Sequence, residues 1–150
     1  MSDPVTRDAA VEVGIFVHDL EAMTRFYAEA LDCRTGAEFR VTGARVRGLL
    51  LGSSVVKLVS LDDPPSARNP VGTALGLRYL TVAVDDVVSA ARRCVAAGAE
   101  LVRPPGDFTV PGELAPRART AIVHDPEGNR IELCQGSAWT PAHPETGDQP

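Results

Sequence analysis

One unit is written twice in this chain at a fixed spacing. Glu12 to Asp19 and Tyr79 to Asp86 align without a gap, with Tyr79 falling 67 positions after Glu12 and Asp86 falling 67 after Asp19. In the first copy, Val11-Glu12-Val13-Gly14-Ile15-Phe16-Val17 reads as a strand whose odd positions are all β-branched, which suits a face packed on helices. The even positions Glu12, Gly14 and Phe16 form a second face of different character. Asp19 is placed as an N-cap for a helix from Leu20 to Leu31, with apolar residues at Leu20, Met23, Tyr27, Ala30 and Leu31, one face of a 3.6-residue period. In the second copy, a strand from Tyr79 to Val84 leads through Asp86 into a helix from Val87 to Ala97, and Gly98 supplies the left-handed position that ends it.

Strand candidates follow each helix. In the first half they are Ala37 to Val41, Val46 to Leu51 and Val55 to Leu61. In the second they are Glu100 to Arg103, Thr120 to His124 and Arg130 to Gln135, with an Asp125-Pro126-Glu127-Gly128-Asn129 turn before the last. A period this long, seen only twice, predicts an α+β fold of two tandem β-α-β-β-β modules rather than a solenoid. We place module one at 10–61, a Pro-rich linker at 62–76, module two at 77–136 and a tail at 137–150. Pro104 to Arg117, with four prolines, reads as a loop longer than a hairpin needs and suited to binding. A chain of 150 residues can bury about 70% of its unfolded surface, so it needs no disulfide or structural metal.

Composition excludes several classes. A formal charge of −5 argues against nucleic acid as a partner. No apolar run reaches the roughly 20 residues of a membrane span, and the amino terminus lacks a secretion signal. Cys33, Cys94 and Cys134 are odd in number and widely spaced, which points to a reducing, cytoplasmic setting. No G-x-S-x-G or G-x-x-x-x-G-K segment is present, so serine-triad and phosphate-loop chemistry find no support. Fourteen of the fifteen basic residues are Arg; the sole Lys is Lys57.

The strand running into Val17-His18-Asp19-Leu20, the helix carrying Phe26-Tyr27 and closing on Leu31, the repeat at Tyr79, and Asp125-Pro126-Glu127-Gly128-Asn129-Arg130-Ile131-Glu132-Leu133 together resemble the vicinal oxygen chelate superfamily. That group contains glyoxalase I, methylmalonyl-CoA epimerase, extradiol dioxygenases, fosfomycin-modifying enzymes and bleomycin-resistance proteins. The resemblance covers about residues 10–136 and implies two modules whose sheets curl around one open cavity, often in a homodimer. It does not fix the reaction, because one fold hosts many.

In metal-dependent members, four inward-facing positions hold a divalent ion. Carried over, these are Glu12, Lys57, Tyr79 and Glu132, where His, Gln or Glu are usual. An ammonium has no acceptor for a metal, and a neutral phenol is a poor ligand. Two carboxylates fall short of the usual three protein ligands of a catalytic zinc site. The expectation is therefore no tightly held metal and no other cofactor. Lys57 instead replaces the ion's positive charge between Glu12 and Glu132, and Tyr79 offers a hydrogen bond to a developing oxyanion. Phe16, Phe108 and Cys134 are candidates to line the substrate pocket. Structural roles compete with these: a snorkelling Lys57, a simple Glu12–Lys57 salt bridge, a passive Cys134 thiol.

Two functions fit this set. One is a metal-independent lyase or isomerase in which Glu132 abstracts a proton next to a carbonyl of a small metabolite. The other is a bleomycin-resistance-like protein that sequesters a small molecule or antibiotic unchanged.

Overall fold

The computed structural model describes residues 11–68, 75–109, 111–112 and 116–137. The amino-terminal lead-in, most of the tail with Trp139 and His143, and the middle of the linker lie outside these residues. Module one runs β1 (Glu12–Phe16), α1 (Leu20–Leu31), β2 (Arg34–Val41), β3 (Ala44–Leu51) and β4 (Ser54–Leu61). Module two repeats it as β5 (Leu80–Ala83), α2 (Val87–Ala96), β6 (Glu100–Phe108), β7 (Ala118–His124) and β8 (Arg130–Gly136). The strand orders are β1-β4-β3-β2 and β5-β8-β7-β6, one pattern used twice, with the first and last strands of each module parallel.

The capping residues act as the duplication predicts. The Asp19 carboxylate accepts from Ala22 N, and that of Asp86 accepts from Val88 N and Ser89 N, each filling orphan donors of a first helical turn. Helix α1 spans the predicted residues, and Gly98 takes φ +108° after α2. Between the sheets and the helices lies one core. Tyr27, Met23, Leu49 and Leu58 from module one join Val87, Cys94, Ile131 and Leu133 from module two in a single apolar cluster. Strand alternation follows: the even-numbered Val56 and Leu58 of β4 and the odd-numbered Ile131 and Leu133 of β8 are buried under the helices. Lys57 and Glu132, between them, emerge on the opposite, open face of each sheet.

The segment from Pro104 departs from expectation. Strand β6 continues through Pro104 and Pro105 to Phe108, with register shifts between Leu101 and Arg103 and between Arg103 and Gly106. Proline is tolerated because β6 is the edge of its sheet, where a missing N–H removes no ladder bond, and the shifts absorb the irregularity. The binding loop predicted from 104 is thus a strand for its first five residues. Tyr79 precedes β5 rather than opening it. Among the described residues no helix is long and apolar enough to cross a membrane.

Candidate functional site

Lys57 occupies the centre of the open face of module one. Its in-register neighbours on the adjoining strands are both glycines, Gly14 of β1 and Gly48 of β3. A methyl group built on Gly14 would meet nothing within 4 Å, and one on Gly48 only Val55 Cγ1 and a carbonyl, at 3.7 and 3.9 Å. The lysine stem therefore rises from a strand with no side chain beside it in register. Its ammonium pairs with Glu12, Nζ to Oε2 3.1 Å, with 42% and 58% of the two side chains exposed. A pair so exposed contributes little to stability, at most about 1 kcal/mol, and leaves the ammonium open to a ligand.

Glu132 occupies the matching place in module two, between Thr81 of β5 and Ile122 of β7. Thr81 Oγ1 donates to its Oε1 at 3.1 Å, and the guanidinium of Arg103 lies 3.8 Å from Oε2. Arg103 is itself fixed by donating to Thr120 Oγ1 at 2.7 Å. The expectation that Lys57 bridges both carboxylates is thus corrected: Lys57 pairs with Glu12, and Arg103 serves Glu132. Sequence reasoning put Arg103 at the end of a strand but missed its role, because its reach to Glu132 depends on the register of β6 with β7, where Arg103 pairs with Ile122 and Ile122 with Glu132. The paired glycines were missed because register between strands is not written in any one strand.

The other predicted residues spread further. Cys134 is two positions from Glu132 on the open face, its thiol donating to Gly136 O at 3.5 Å. Burial, then the charge of Glu132, pushes that thiol above its ordinary range, which disfavours the reactive thiolate. Phe108 is 43% exposed near the end of β6, opposite Ala118. Phe16 and Tyr79, 62% and 51% exposed, instead face a cavity of about 690 Å³ between β1, the linker and the β7–β8 turn. Arg45 and Arg47 are held on the helix side by Glu21 and Glu38. Hydrogen bonds from Arg47, then Arg45, lower the Glu21 carboxyl to about 2.

A divalent metal does not fit this donor set. The two open faces carry an ammonium already paired with one carboxylate and a second carboxylate already paired with a guanidinium, so each would-be ligand has a cation beside it. Among the described residues no group of three or more His, Cys, Asp or Glu could hold a metal ion.

The model of the Glyoxalase/Bleomycin resistance protein/Dioxygenase superfamily matches residues 9–133. The chain belongs to that superfamily. Among solved structures it is similar to a glyoxylase/bleomycin resistance protein/dioxygenase domain from Frankia sp. EAN1pec, at 20% identity over 91% of this chain and 96% of that one, TM-score 0.71. It is similar to TioX from Micromonospora sp. ML1 at 21% identity over 86% and 99% of the two chains, TM-score 0.63. Glyoxalase I from Zea mays gives 22% identity and a TM-score of 0.68 over 84% of this chain, which spans only 44% of the maize protein. Identities this low establish the fold alone. No curated protein matches the sequence.

Proposed function

We propose that the chain is a metal-independent lyase or isomerase acting on a small carbonyl-containing metabolite. The observation that supports this most is Lys57, an accessible ammonium flanked by Gly14 and Gly48 and oriented by Glu12. It takes the role of electrophile, stabilising the enolate oxygen that develops when a neighbouring carbon loses its proton. Glu132, aimed by Thr81 and Arg103, takes that proton as general base. Glu12 holds Lys57 in place. The metabolite lies over the two open faces, and the working form is a homodimer; exposed Phe39 and Val41 on edge strand β2 give a second copy apolar surface to cover.

The test is exchange with solvent deuterium in the carbon acid that co-purifies or turns over. Lys57→Met and Glu132→Gln should each lower exchange by roughly 10²–10⁴-fold while the fold persists. Exchange that survives both substitutions overturns the reading.

A second reading, sequestration without reaction, draws on a different observation. The carboxylate of Glu132 and the ammonium of Lys57 have separate partners among the described residues. A ligand that binds tightly and returns unchanged and unlabelled would favour this reading over catalysis.

A further inference from the structure

The cavity of about 690 Å³ contains neither Lys57, Glu12 nor Glu132, yet its size falls within the roughly 300–1,000 Å³ of small-molecule sites. Its walls differ from end to end. One end is apolar, formed by Ile15 and Phe16 of β1, Leu61 at the end of β4, Pro64 of the linker and Leu77 just after it. The other is the β7–β8 turn and the strand ends beside it, with Arg68, His124, Glu127 and Arg130.

The charges at that polar end are unequally engaged. The Glu127 carboxylate is consumed by backbone donors, accepting from His18 N at 2.8 and 3.0 Å and from Asp19 N at 2.9 Å. Glu100 stands at the rim, largely exposed, with its carboxylate 3.6 Å from His124 Nδ1. Arg130 uses only its Nε, donating to His124 Nε2 at 3.5 Å, and no described residue takes up its two Nη nitrogens. Arg68 lies over Gly128 and donates to the Glu127 carbonyl through Nη1 alone. Two guanidiniums therefore present unused donors to a space whose acidic groups are committed elsewhere or displaced to the rim. Guanidinium forks match carboxylates in shape and charge, and the exposed rings of Phe16 and Tyr79 offer flat surfaces to an aromatic body.

We propose that this cavity is a binding site for a small aromatic carboxylate, its anion held by Arg130 and Arg68 and its ring between β1 and the linker. The proposal stands apart from the acid–base reading of the open faces, since none of those three charged residues lines the cavity.

The test is titration of the intact chain with naphthoate, naphthalenemethanol and naphthylmethylammonium, followed by calorimetry and by NMR shift mapping. Naphthoate should bind at least tenfold more tightly than the alcohol, and the ammonium more weakly than either. Arg130→Gln should weaken naphthoate by roughly tenfold or more and leave the alcohol unchanged. Arg68→Gln, a substitution on the exposed linker, serves the same purpose should Arg130→Gln disturb His124. Lys57→Met and Glu132→Gln should leave naphthoate affinity as it was. Equal affinity for acid and alcohol would overturn the proposal. So would a loss of naphthoate binding in Lys57→Met with none in Arg130→Gln and Arg68→Gln, which would place the anion on the open face and count for the catalytic reading instead.

Discussion

The two modules share strand order, helix capping and a common core, but they end their last hairpins differently. In module one the β3–β4 turn is Gly52-Ser53, with Gly52 at φ +59°. In module two the β7–β8 turn is Asp125 to Asn129, and it grips the other module. The buried Asp125 accepts from Glu127 N and Asn129 N through Oδ1, and from Asn129 Nδ2 and the Tyr27 hydroxyl of α1 through Oδ2. Glu127 then accepts from the His18 and Asp19 backbone just ahead of α1. Burial, and next the Asp125 charge, hold the Tyr27 phenol well above its ordinary 10.0, so it remains the donor at any ordinary pH. Duplication thus supplied two copies of a scaffold, and one copy's turn became the clasp that fastens both. The same divergence separates the open faces, where matching strand positions carry an ammonium in one module and a carboxylate in the other.

If this difference is functional, Glu132→Gln should show the largest effect, a loss of exchange of roughly 10³-fold. Thr81→Val, which removes only the hydroxyl aiming Glu132, should cost about tenfold, and it should do so at unchanged melting temperature. Equal losses from the two substitutions would mean that Glu132 acts through position rather than as the base.

The clasp comes next. Asp125→Ala strips partners from the buried Tyr27 hydroxyl and from Asn129 and should cost about 3 kcal/mol in denaturant unfolding. Both modules should still melt in one transition, because one apolar cluster spans them. Two separate transitions, where the unaltered chain shows one, would show that the clasp rather than the shared apolar cluster couples the modules. Glu127→Ala leaves its donors exposed to water and should cost only about 1 kcal/mol.

The smallest effect belongs to module one's own charge network. Glu21 has its folded value lowered from 4.5 to about 2 by Arg47 and Arg45. Its contribution is therefore fully present above pH 4.5 and fades as pH falls toward 2. Glu21→Gln should flatten the acid limb of the stability curve across that window and leave stability above pH 6 with the same slope. An unchanged acid limb would assign the limb to other carboxylates.

Much of the architecture was legible in the linear chain because it rests on short-range rules. Asp19 and Asp86 cap helices whose bounds follow from apolar spacing, and the offset of 67 announced two equivalent modules before any contact was known. The positions of Lys57 and Glu132 came from the family resemblance, and strand alternation accords with them, since each lies between two residues buried under the helices. What alternation could not supply was partnership. Arg103 reaches Glu132 across β7, where Arg103 pairs with Ile122 and Ile122 with Glu132, and that register is not written in β6 alone.

The sequence by itself determined the duplication, the helix ends, the alternation along most of the strands and the lone lysine at a position resembling a ligand site. These depend on residues within one or two turns of one another. Tertiary structure alone decided that Gly14 and Gly48 flank Lys57, that Asp125 receives Tyr27 from the other module, and that Arg68 and Arg130 meet at one cavity. Each of those joins residues of different elements through strand register and module packing, and a register shift of a single residue would send every one of the strand side chains to the opposite face.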